Sequence, residues 1–122
     1  MANEFSFTAK VAYADSEGAD FEFGIEQIAA TIGTKRYLHA KQNVAITEEA
    51  LNLGDVTTLG WFLGVNRDTT NFLSIKTGTG GTIFARLNPG LPALFRFGSG
   101  VTAPFVIADT ATCQLEYVLF SV

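Results

Sequence analysis

The run Lys76-Thr77-Gly78-Thr79-Gly80-Gly81-Thr82 has the residue types of a phosphate cradle, with a lysine beside backbone N–H groups that glycine leaves accessible. A nucleotide-binding loop also needs Gly-Lys-Ser/Thr at its end, and then a helix whose N-terminus faces the phosphates. Here Thr82-Ile83-Phe84 opens an apolar strand, so the run reads as a hairpin loop. Asp15, Glu17, Asp20 and Glu22 could offer oxygens to calcium. They lack the Asp-x-Asn-x-Asn-Gly order and the closing bidentate Glu of a dedicated loop, and read as a solvated acidic turn. His39 is the only histidine, and a histidine-based metal site needs two or three converging on one ion. A Cys113–His39 nucleophile would join residues far apart in sequence, whereas Cys113 opens the last strand, where a free Cys is usually a small buried hydrophobe. Trp61 lies between Gly60 and Phe62 in the most apolar run and reads as core, with a sugar-stacking platform as the alternative. No catalytic residue, cofactor or metal ligand is expected.

The elements that would position these groups are strands. Phe5, Phe7, Ala9, Val11 and Tyr13 alternate with polar residues, and residues 15–20 turn the chain into a second alternating run at Phe21, Phe23 and Ile25. Residues 26–32 fit a continuing strand or one helical turn, and the strand is the preferred reading. Thr47-Glu48-Glu49-Ala50-Leu51 has the charge order of a helix start, stopped by Gly54. From Gly54 onward short apolar runs alternate with turn residues at the spacing of antiparallel strands in a sandwich or barrel. Pro89-Gly90 suits the centre of a type II turn. Eight or nine strands in 122 residues predict one all-β domain over 1–122, an antiparallel, jelly-roll-like β-sandwich. Its expected core is Phe7, Val11, Phe23, Leu63, Ile75, Phe84, Phe95, Ile107 and Leu119.

Composition narrows the partners. Apolar residues make up 48% of the chain, with eleven Phe, enough for a real core. The net charge is −4 and no basic patch stands ready to neutralise phosphates, so nucleic acid is not an expected partner. No apolar run approaches the ~18 residues of a membrane span, and the N-terminal residues lack the pattern of a signal peptide. One cysteine permits no intrachain disulfide, which fits synthesis in a reducing cytoplasm. A mean hydropathy of +0.25 exceeds what one small sandwich hides. Residues 59–65 are apolar on both sides, with Trp61, Leu63 and Val65 facing one way and Gly60, Phe62 and Gly64 the other. One side is expected between the sheets and the other covered by a loop or by a neighbouring subunit, the apolar excess favouring the subunit. The expected interface residues are Phe62 together with Ala2, Asn3, Glu4, Phe5 and Phe7, the last five on a terminal strand able to pair with a neighbour's sheet edge.

The stretch Glu48 to Trp61, then Asn66-Arg67-Asp68-Thr69-Thr70-Asn71-Phe72, Leu87-Asn88-Pro89-Gly90 and the closing Leu115-Glu116-Tyr117, resembles segments of small jelly-roll structural proteins of tailed-phage virions. The resemblance covers about half the chain and carries no catalytic or binding residues with it. It implies a capsid decoration (cement) protein or a head or tail accessory, made in the bacterial cytoplasm and located in the virion. The partners it implies are further copies of the chain, as a homotrimer, and the major capsid protein or another virion protein. A carbohydrate-binding module of a fibre or tail is the alternative.

Overall fold

The computed structural model describes residues 4–31 and 36–121. The chain is all-β with antiparallel pairing throughout, and it divides into two compact units, Met1–Gly33 and Thr34–Val122. The first unit is a long hairpin of β1 (Glu4–Ala14) and β2 (Asp20–Thr31). Their register runs from Glu4 opposite Thr31 to Ala14 opposite Asp20, with a bulge between Phe7 and Ala9. The preferred strand reading of residues 26–32 therefore holds as far as Thr31. At the tip, Asp15 Oδ1 accepts the N–H groups of Glu17 and Ala19, both at 2.9 Å, which closes the turn.

The second unit begins with β3 (Tyr37–Val44), β4 (Glu49–Ala50), β5 (Leu59–Asn66) and β6 (Leu73–Lys76). It continues with β7 (Ile83–Leu87), β8 (Pro92–Arg96), β9 (Phe105–Ala108) and β10 (Cys113–Ser121). These form two four-stranded sheets, ordered β3-β10-β5-β8 and β4-β9-β6-β7. The first strand pairs with the last, and each later strand with its counterpart counted back from the end, down to the β6–β7 hairpin. Asn88-Pro89-Gly90-Leu91 closes with Leu91 N–H on the Asn88 carbonyl at 3.0 Å, and Gly90 at φ 74°, the positive value a type II turn demands.

The described residues form ten strands, against the eight or nine expected. The addition is β4, where a helical turn was expected. The carboxylates that would have favoured a helix start are engaged elsewhere: Glu49 Oε1 accepts Ala45 N–H at 3.0 Å, and Glu48 reaches Lys76 and Gly80. The backbone then pairs with β9, and Leu51 N–H meets the Pro104 carbonyl at 3.0 Å.

One core cluster draws on both four-stranded sheets, with Val44, Phe62, Leu115 and Leu119 from one and Leu73, Ile75 and Val106 from the other. Tyr117 is buried among them, and its hydroxyl donates to the Asn52 carbonyl; burial pushes that phenol up to about 12. Of the expected core, Ile75 and Leu119 are fully buried, whereas Phe7, Phe95 and Ile107 are only partly so. Val11, Phe23, Leu63 and Phe84 are exposed. Strand β5 is the instructive correction, because its two faces are exchanged: Phe62 is inside and Leu63 outside. The inward face Gly60-Phe62-Gly64 is a slot for one large ring, and a Cβ on Gly64 would lie 2.6 Å from the Phe62 ring. At Gly60 a Cβ would lie 2.9 Å from the Phe120 carbonyl oxygen, beside the bulge in β10, and backbone cannot swing aside. Gly60→Ala is expected to lower stability by about 1–3 kcal/mol in urea titration, the usual penalty of overpacking. A loss within about 0.3 kcal/mol, inside the scatter of a neutral surface change, would contradict this packing.

Candidate functional site

Alternation along β3, β5, β8 and β10 sends every second side chain to the outer face of that sheet. On β5 these are Trp61, Leu63 and Val65; on β8, Pro92, Leu94 and Arg96. The register sets Leu63 between Leu94 and Val118, and Val65 between Pro92 and Glu116. Tyr37 of β3 lies opposite Phe120 of β10, their rings 6.4 Å apart. An apolar band thus crosses all four strands, with Tyr37 66%, Leu63 46% and Leu94 38% exposed. Single exposed apolar side chains are ordinary, but a contiguous band across a sheet marks a surface that meets something.

Charged groups border the band. Glu116 accepts from Arg67 Nε at 2.9 Å and lies 3.0 Å from His39 Nε2. These hydrogen bonds, His39 first and then Arg67, hold its carboxyl below the usual glutamate range. Arg96, opposite Trp61 in register, has no ion-pair partner among the described residues.

The hairpin has a second such face. Val11 lies opposite Phe23, and Tyr13 opposite Phe21, each of the four more than half exposed. Phe5 and Phe7, half-buried, stack at 6.1 Å. The opposite face is polar, and Lys10 meets Glu22 there at 2.6 Å.

The residues singled out for chemistry have structural work. Lys76 to Thr82 connects β6 and β7 as a hairpin loop, and its cradle is filled by the chain's own carboxylate. Glu48 accepts from Lys76 Nζ at 2.5 Å, Thr79 Oγ1 at 2.8 Å and Gly80 N–H at 2.9 Å. The Lys76 hydrogen bond, followed by those of Thr79 and Gly80, lowers the Glu48 pKa from 4.5 to about 2. Because the folded value lies below the unfolded one, the stabilisation is complete above 4.5 and fades as pH falls toward about 2. Thermal unfolding of Glu48→Gln should therefore show a shallower loss across this acid window than the parent; parallel curves would contradict the assignment.

Cys113 is buried, with Sγ near the carbonyls of Asn71, Phe72 and Ala111, and burial pushes its thiol up. His39 pairs with Val118 on the outward side of the same sheet, about 17 Å along the strand from Cys113, so the two do not meet. Trp61, read as core, is half-buried on the outer face instead. Of the expected interface residues, Ala2 and Asn3 lie outside the described residues, and Glu4 is described only in its backbone pairing with Thr31. Phe5 and Phe7 lie on the hairpin, and Phe62 is fully buried in the core, so the outward positions of β5 belong to its neighbours. Tyr37, Leu94, Val118 and Phe120 went unnoticed in the sequence; their signal was the strand parity that sets them on the same side as Trp61, Leu63 and Val65, among the polar outward residues of β3, β8 and β10. Among the described residues no three His, Cys, Asp or Glu gather to hold a metal ion, and no helix is long and apolar enough to cross a membrane.

No family model matches the chain, and neither curated proteins nor solved structures give a match.

Proposed function

We propose that this chain is a non-enzymatic structural protein of a phage virion. In this reading it is a jelly-roll β-sandwich that assembles as a homotrimer and decorates the capsid, binding the major capsid protein or another virion protein. The observation that carries the reading is the apolar band across β3, β10, β5 and β8, a working surface with no convergent chemistry on it. The nested pairing of first strand with last supports the jelly roll, since winding one long antiparallel ribbon produces that strand order. The phage assignment rests on the sequence resemblance. The test is cosedimentation with purified tailed-phage capsids: the protein should pellet with them at saturable stoichiometry, and should stay in the supernatant when Leu63→Glu charges the band. Failure of the parent protein to pellet would count against decoration.

A sugar-binding module of a fibre or tail is the second reading, favoured by Trp61 lying partly exposed beside Arg96 on the outer face. Glycan binding lost in Trp61→Ala, without capsid binding, would select it.

A further inference from the structure

Strand β8 ends its sheet with an open backbone edge. Phe97 N–H bonds the Gly60 carbonyl at 3.0 Å and Asn66 N–H the Leu91 carbonyl at 3.3 Å, one bond at each end of the β5–β8 ladder. Antiparallel alternation then gives the backbone groups of Ala93 and Phe95 to β5 and turns those of Leu94 and Arg96 outward. β8 pairs with β5 alone, and no other bond reaches the Leu94 and Arg96 backbone among the described residues. Pro92, whose ring replaces a donor on that same side, opens the strand. On the inner side of this edge lies a cleft of about 380 Å³, where Phe84 of β7 meets Phe95 and Phe97. The three rings pack edge-on, with centroids 5.4, 5.8 and 5.1 Å apart. Phe84 is exposed, and it is the extra residue of a bulge, since Ile75 pairs with Ala85 but Lys76 with Ile83. Such bulges re-aim a side chain. On the outer side, the exposed Arg96 guanidinium has neither an ion pair nor a hydrogen bond among the described residues.

We infer that this edge takes an extended segment of a partner polypeptide, added beside β8 as a further strand, with an acidic residue between two apolar ones. A row of free backbone groups is matched by another backbone, which favours a polypeptide over a small ligand or a sugar. The strand period of two sets the pattern. Residues of the segment that face inward with Phe95 enter the aromatic cleft, which is the size of a small binding site. The residue opposite Arg96 meets the guanidinium, and opposite charges attract across paired strands. The edge strands of a second copy's larger sheets do not fit, because β3, β7 and β8 carry Lys41, Arg86 and Arg96 and no acid. β4 is only two residues long. Such a segment requires neither the trimer nor the capsid of the proposed function.

The test selects displayed random hexapeptides on the immobilised full-length chain and measures the winners by fluorescence anisotropy. Selected sequences should place Asp or Glu between two apolar residues. Leu94→Pro removes an outward donor without touching the β5 ladder, and Arg96→Glu reverses the charge; far-UV circular dichroism checks that both keep the sheet. Each should weaken the selected peptide by about tenfold or more. Selection repeated on Arg96→Glu should return Lys or Arg at the central position, and that exchange alone decides the matter should the proline variant lose its sheet. No selected peptide, selected peptides without the acid, or an affinity unchanged in a folded Leu94→Pro would overturn the inference. A parent oligomer that falls to monomer in Arg96→Glu would place a second copy on this edge, and would overturn it as well.

Discussion

Phe62→Ala is expected to lower the unfolding free energy by about 3–5 kcal/mol in urea titration, the range for deleting a buried aromatic ring. Leu63→Ala, one residue on, should cost less than about 1 kcal/mol, because its side chain already meets solvent. Phe62 is fully buried and stacks on Phe95 at 4.9 Å and Tyr117 at 5.7 Å, with Phe97 edge-on at 5.9 Å. Its removal would leave a cavity between Gly60 and Gly64 that no neighbouring side chain on β5 can fill. A reversed order of the two losses would mean that β5 presents Leu63 to the core, and that the outer band does not exist as described.

The second large effect is at Asn66, a fully buried polar residue at the end of β5. Its Nδ2 donates to the Asn71 carbonyl at 2.8 Å and the Leu87 carbonyl at 3.0 Å, while Oδ1 accepts Asp68 N–H at 2.9 Å. One amide thus ties the 67–72 connection to the end of β7. Asn66→Leu keeps the branched outline but is bulkier and strips two carbonyls of their donor, and should cost about 3 kcal/mol or more. Asn66→Asp should be worse near neutral pH, at about 3–5 kcal/mol, because a carboxylate would face two carbonyl oxygens in a dry site. Burial raises the pKa of such a carboxyl, so the deficit should shrink as pH falls through the folded value and the group becomes neutral. A denaturation midpoint for Asn66→Asp that does not recover on acidification would contradict this geometry.

Much of the strand pattern was legible because each run is short, apolar and bounded by turn residues with specific backbone needs. Pro89-Gly90 and the 77–82 loop are such cases. Strand β4 was not legible, because the acids of a helix N-terminus and the acids of a loop staple look alike until Lys76 and Gly80 are found beside them. The face assignment in β5 failed for a different reason. Trp61, Leu63 and Val65 outweigh Phe62 on any count of apolar bulk, yet Gly64 makes room inside for its ring and Gly60 lets the backbone of β10 approach. Of the surface, the sequence showed that apolar residues were in excess. Which of them faced outward depended on the parity of β8 and β10 relative to β5, a property of register that local pattern does not encode.

The proposed function has this chain joining copies of itself through apolar faces, and light scattering coupled to size exclusion at high micromolar concentration reads that association as a mass. The expected mass is three times that of the 13.1 kDa chain. A single species at 13.1 kDa across that concentration range would contradict the claim.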